Sequence, residues 1–271
     1  MLKDAVLVVA HPDDEILWFS SIIEQFREII VVYLAVPSRP EWTEGRKRSI
    51  AAFPLRSLTS LGLTESETFN GADWLNPVTT PFGLEVKNRE GTLASYSGER
   101  YRDNFDLLQG LLRDKLRGYR NVFTHNPWGE YGHEEHVQVY RAAQSLGAEL
   151  GFRLWFSNYC SNKSHNLMLQ HLRGLRSDYA TLATNPILAE RVKRLYQEND
   201  CWTWFDDYTW FTHECFLDDQ PVHLGDGQWA QSFPLNYLRI ETPWSTERKP
   251  RWRAVAGRVR NAVVKLTSNK P

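Results

Sequence analysis

Six residues near the amino terminus, Ala10-His11-Pro12-Asp13-Asp14-Glu15, constrain this chain more than any other feature. They follow a continuous apolar run, Ala5-Val6-Leu7-Val8-Val9, which reads as a strand buried on both faces. They precede an apolar-periodic stretch, Ile16-Leu17-Trp18-Phe19 to Ile22-Ile23, which predicts a helix from Asp14 to about Arg27. Open α/β sheets place their ligands at the carboxyl ends of their strands. A histidine and two aspartates stand at that point of the first strand.

The same alternation continues along the chain. Ile29 to Ala35 reads as a second buried strand. A Lys- and Arg-rich helix is expected from Thr43 towards Ser60, kinked at Pro54 and closed by Leu61-Gly62-Leu63. A short strand is expected near Glu67 to Phe69. From Asn70 to Arg100 the pattern dissolves into Gly, Pro, Asn and Thr, a loop of a length that is usually functional or disordered. Further on, helices are predicted over Asp103–Leu116, Glu134–Leu150 and Pro186–Glu198, and strands over Asn121–Thr124 and Leu154–Phe156. Buried strands alternating with helices define an α/β fold with a mainly parallel sheet and helices on both faces.

At 271 residues the chain is expected to form one domain, residues 1–247, followed by a basic tail, 248–271. The tail has eight basic residues and no acidic one, so the remainder carries about −9 of a net charge of −1. Its apolar residues (Ala256, Val259, Ala262, Val263, Leu266) recur at helical spacing. That charge balance gives no general case for nucleic-acid binding. Three cysteines without CxxC spacing argue for a reducing compartment and against a Cys-type zinc site. The first apolar run is too short for a signal peptide, and no stretch reaches the roughly 18 apolar residues of a membrane span. A cytoplasmic location is expected.

His11 and Asp14 are three residues apart at one strand-to-helix junction; His133 and His136 are three apart at another, after Asn121-Val122-Phe123-Thr124. Residues i and i+3 share a helix face, so two central strands would bring both pairs to one crevice. Two imidazoles and a carboxylate are a common catalytic zinc set, and they suit Fe(II) as well. Read singly, each pair has a plainer explanation. His-Pro-Asp-Asp also suits a helix cap and turn, and histidines on a surface helix are often idle. Their joint placement favours a metal site.

Ala10-His11-Pro12-Asp13-Asp14-Glu15 together with Gly129-Glu130-Tyr131-Gly132-His133-Glu134-Glu135-His136 resembles the PIG-L/LmbE-like N-acetylglucosaminyl deacetylases, from Leu2 to about Gln144. The resemblance implies a Rossmann-like fold, a divalent metal, usually zinc (Zn2+) with Fe2+ or another divalent ion as alternatives, and hydrolysis of an acetamido group on a sugar. It assigns His11, Asp14 and His136 to the metal, Asp13 to general base, and His133 to oxyanion stabilisation or protonation of the amine. It assigns Tyr131 to polarising the acetamide carbonyl. The family helix after the second strand carries an Arg followed three residues later by Glu; here Arg46 and Arg48 are present and that Glu is not. Arg46 is the candidate substrate-binding residue. Glu134-Glu135 replaces the more usual Pro-Asp.

The reaction expected from these roles releases acetate and a free amino sugar, as in glycoconjugate, polysaccharide or secondary-metabolite assembly. The alternatives are an amidohydrolase for another N-acyl small molecule and a non-catalytic sugar-binding protein on the same fold. The aromatic-dense segment Cys201 to His213 reads either as a sugar-stacking wall, with Trp202, Trp204 and His213 near the pocket, or as a hairpin capping the core. His125 reads as a support for the loop. Trp42, Trp74 and the 70–100 loop read as a lid or as a surface excursion. The basic tail reads as a solvated helix or as a peripheral contact with anionic lipid at the inner face of a membrane.

Overall fold

The computed structural model describes residues 4–55, 57–173, 175–220, 222–223 and 231–240. The described residues up to Arg239 belong to one compact unit. The expected basic tail and its boundary at residue 247 lie outside the described residues.

Seven strands form the central sheet: β1 (Ala5–Val9), β2 (Glu28–Ala35), β3 (Leu58–Thr64), β4 (Asn121–Thr124), β5 (Arg153–Ser157), β6 (Tyr179–Ala183) and β7 (His213–Asp218). Their order is β6-β7-β5-β4-β1-β2-β3. The ladders from β3 across to β5 are parallel; β7 and β6 close the sheet antiparallel. All five residues of β1 are fully buried, as a central strand covered on both faces requires. Val6 and Val8 share a core with Leu108 and Leu112 of α3 (Gly98–Lys115) and Val139 and Ala143 of α4 (Glu134–Leu150). On the opposite face Phe123 packs against Phe26, Trp155 and Phe216, beneath α1 (Asp14–Leu17). Helices α2 (Pro40–Ala51) and α6 (Pro186–Glu198) pack against each other, and α6 also meets α1. A further helix, α5 (His165–Leu172), follows the 161–164 turn.

From β1 the chain first builds outward through β2 and β3, then crosses to β4 on the other side. The carboxyl ends of β1 and β4 therefore form the point where strand order reverses, the place where such sheets open a crevice.

Three expected elements differ. The helix predicted to Arg27 stops at Leu17, because the Ser20 and Ser21 N–H groups donate to the buried carboxylate of Glu214 (3.1 and 2.9 Å). A long-range acceptor on β7 thus replaces the i−4 carbonyls. The helix predicted to Ser60 ends at Ala51, and 58–64 is strand β3, whose Gly62, at φ 72°, lies at an irregularity in the β2–β3 register. Glu67 to Phe69 is irregular chain running into a turn at Phe69-Asn70 rather than a strand; Glu67 has φ 54° and its carboxylate accepts from the Ser38 N–H and hydroxyl.

Candidate metal centre and active site

His11 and Asp14 leave β1, while His133 caps α4 and His136 lies in its first turn, after β4. Three groups of metal-capable side chains overlap here, each with ligand atoms within 4.8 Å of one another: His11–His133–His136, Asp14–His125–His136 and His11–Glu65–Glu135. Their hydrogen bonds decide which lone pairs remain for a cation.

His125 has none to spare, because its Nε2 accepts the Ala10 N–H at 2.8 Å and its Nδ1 faces Glu130 at 3.0 Å. His133 Nδ1 accepts the Glu135 N–H at 3.2 Å, so the proton of its neutral ring is on Nε2. His136 is the reverse case. Its Nδ1 donates to Glu130 Oε2 at 2.8 Å, and its Nε2 is buried with no hydrogen-bond partner. His11 donates from Nε2 to Glu135 Oε2 at 2.9 Å, leaving Nδ1 beside Asp14. Asp14 Oδ2 lies 3.2 Å from His11 Nδ1 and 3.3 Å from His136 Nε2. Lone pairs meeting in this way repel unless a proton or a cation sits among them. Those separations are close to the roughly 3.3–3.4 Å edge of a tetrahedron built on ligand bonds of about 2.0–2.1 Å. The donor set fits a divalent cation held by His11, Asp14 and His136.

The electrostatics agree. Burial opposes charge on His11, but Glu65, Asp14 and Glu135 outweigh it and raise the ring to about 10. The same field draws a metal ion, which must displace that proton. Burial also opposes charge on Asp14, yet His136 and His125 hold its carboxyl well below the usual range. His133 is driven well below the usual histidine range by burial, His11 and His136, and so is neutral.

Asp13 stands beside this group with its backbone in the left-handed region, φ 102°, a strained position for a residue with a Cβ. Its N–H donates to Glu15 Oε2 at 2.9 Å, and Glu15 in turn accepts from Tyr196 at 2.7 Å. Burial and the charge of Asp14 push its carboxyl upward; Thr203, Arg46 and His11 pull it down. The Tyr131 ring lies 5.3 Å from that of His136 and 4.7 Å from that of Trp204. Its phenol is held protonated by burial and by Asp14 and Asp13.

Arg46 is buried at 3 % exposure, ion-paired with Glu65 and close enough to Asp13 to lower its pKa. Glu65, at the end of β3, supplies the carboxylate that the α2 sequence lacks. Trp204 borders the site against Tyr131 and Trp18. The structure does not bring Trp202 or His213 there. Trp202 faces Lys193 and Phe205, and His213 is exposed at the start of β7 against Thr212. The 201–212 segment is neither hairpin nor helix.

Several site residues escape the sequence reading. Glu130 fixes both His125 and His136. Glu135 holds His11 while accepting from Ser66 N–H and hydroxyl at 2.6 Å each. Glu134 accepts from Ala72 N–H and the Trp74 indole, both at 2.9 Å, which pins the 70–100 loop onto α4 instead of leaving it a free lid. Lys163 donates to Gly132 O at 2.6 Å and to Asn70 Oδ1 at 2.9 Å. Gly132 is obligatory there: its φ is 92°, and a Cβ would lie 2.8 Å from Lys163 Cδ.

The family model described as PIG-L: GlcNAc-PI de-N-acetylase matches residues 6–146, just over half of the chain. "Uncharacterized protein L374" of Acanthamoeba polyphaga mimivirus is 26% identical over 147 residues, 50% of this chain and 54% of that one. The chain thus spans about half the length of this curated relative. Among solved structures, a deacetylase–teicoplanin complex from teicoplanin biosynthesis aligns at 15% identity and TM-score 0.49, covering 82% of this chain and 100% of the other. A zinc-inhibited form of teicoplanin deacetylase Orf2 aligns at 13% and 0.49, covering 82% and 99%. The A40926 pseudoaglycone deacetylase Dbv21 aligns at 13% and 0.47, covering 81% and 97%.

Proposed function

Because this chain belongs to the PIG-L (GlcNAc-PI de-N-acetylase) family, we propose that it is a metal-dependent hydrolase that removes the acetyl group from an N-acetyl amino sugar. The observation that carries this reading is the meeting of three lone pairs, on His11, Asp14 and His136, around a buried Nε2 that no protein donor satisfies. Zinc is the ion we propose for it; Fe2+ is the alternative.

A divalent ion held by these residues supplies a Lewis acid for the acetamide carbonyl and for water. The protein's own groups do the rest. Asp13, next to the metal ligands and raised in pKa by burial, takes the proton of the attacking water. The water oxygen bonds to the acetyl carbon. Neutral His133, with its proton on Nε2, and the Tyr131 hydroxyl donate to the carbonyl oxygen as negative charge grows there. Asp13 then returns its proton to the nitrogen as the C–N bond breaks, leaving acetate and an amine. The neutrality of His133 favours oxyanion donor over acid as its role. Arg46, held by Glu65, and Trp204, against Tyr131, are the residues we propose to meet the sugar.

The test is acetate release from N-acetylglucosamine, its nucleotide-linked form and its phosphatidylinositol-linked form, with zinc-loaded protein. Acetate from one class supports the reading. Sugar binding without acetate from any of them would favour a binding protein. The exposed Phe205 ring, in contact with Trp204, favours a second reading, hydrolysis of a longer N-acyl chain. Faster release from N-butyryl than from N-acetyl sugar would select it.

A further inference from the structure

We propose that Thr203 is the positioning residue for Asp13, holding its carboxylate so that Oδ1 faces the reacting groups; this rests on the deacetylase reading above. Thr203 lies well beyond the 6–146 stretch that matches the family. Its hydroxyl donates to Asp13 Oδ2 at 2.6 Å and its N–H reaches the same oxygen at 3.3 Å. Two donors from one residue on one oxygen fix the plane of a carboxylate, and a base must be held in place to within a fraction of an ångström to be useful.

The segment carrying Thr203 is itself gripped. Cys201 is fully buried, its N–H donates to Tyr196 O at 3.0 Å and its Sγ lies 3.3 Å from Ser49 Oγ of α2. Arg48 donates to the Asn199 side chain and carbonyl at 3.0 and 3.2 Å. Gly45 permits this contact: a Cβ there would stand 2.2 Å from Asn199 O and 2.9 Å from Cys201 Cβ. The other support of Asp13 comes from the helix that precedes this segment, since Tyr196 of α6 holds the Glu15 that accepts the Asp13 N–H. Helix α6 and the turn after it thus orient the base from two sides, without supplying a metal ligand.

The experiment compares acetate release, zinc content and melting temperature for the wild type, Thr203→Val and Thr203→Ser. Thr203→Val keeps the shape and the N–H but loses the hydroxyl. It is expected to lose about ten- to a hundredfold in kcat with KM and zinc content unchanged, and Thr203→Ser to recover most of it. Gly45→Ala, whose Cβ would collide with Asn199 O and Cys201 Cβ, is expected to lower kcat in the same way by displacing residues 199–201. Wild-type kcat in Thr203→Val overturns the inference and leaves the deacetylase reading standing. A loss that follows zinc content or melting temperature and is not restored by serine also overturns it. No acetate from the wild type overturns both.

Discussion

His136 Nε2 lies 3.3 Å from Asp14 Oδ2, buried and without a hydrogen-bond partner among the described residues, while Nδ1 of the same ring is tied to Glu130. Glu130 thereby sets which nitrogen is left free to bind a cation. Burial works against its charge, but His125 and His136 hold its carboxyl down at about 2, so it stays an acceptor at any working pH. Glu130→Gln is expected to weaken zinc binding by about 10- to 100-fold, measured by competition with a chromogenic chelator. Unchanged affinity would remove Glu130 from the account.

Asp13 and Asp14 are neighbours in sequence, and the proposed reaction gives them different tasks. Asp13→Ala is expected to retain bound metal and to lose about 10²–10⁴ in kcat, the usual range for a general base. Loss of metal in this variant would make Asp13 a ligand and reverse the two roles.

His133 has no lone pair left for the metal once Nδ1 accepts from Glu135. His133→Ala is expected to keep the metal and lose about 10²–10³ in kcat, as removal of one oxyanion donor does. A variant that loses zinc instead would place His133 among the ligands.

Burial pulls Lys163 down to about 8, against the opposing pull of Glu134. The folded protein therefore binds fewer protons than the unfolded chain between about pH 8 and the ordinary lysine value near 10.4, and this group adds stability as pH rises through that window. Compared with Lys163→Met, the wild type is expected to gain about 2–3 kcal/mol across it, read from denaturant unfolding at pH 7, 9 and 10. A constant difference would contradict the burial argument.

The sheet centre was legible because β1 is a continuous apolar run and β4 a short Val-Phe strand, each leading into a polar motif. Those motifs carry His11, Asp13, Asp14, Tyr131, His133 and His136 on both sides of the strand-order reversal, so local spacing was enough to bring them together. What was hidden is long-range. Glu214 ends the first helix from β7, some 190 residues away. Glu65 replaces a carboxylate expected on α2, and Thr203 reaches Asp13 from beyond α6. Trp202 and His213 showed the reverse error: aromatic density marked the right segment, but only Trp204 of those three turns toward the site.

The most direct test is to strip the protein of metal, return zinc in substoichiometric steps and follow acetate release from the N-acetyl sugar it accepts. No release is expected from the stripped protein, and with added zinc a rise that levels off at one equivalent. Undiminished release without metal, or none at full occupancy, would contradict metal-dependent deacetylation.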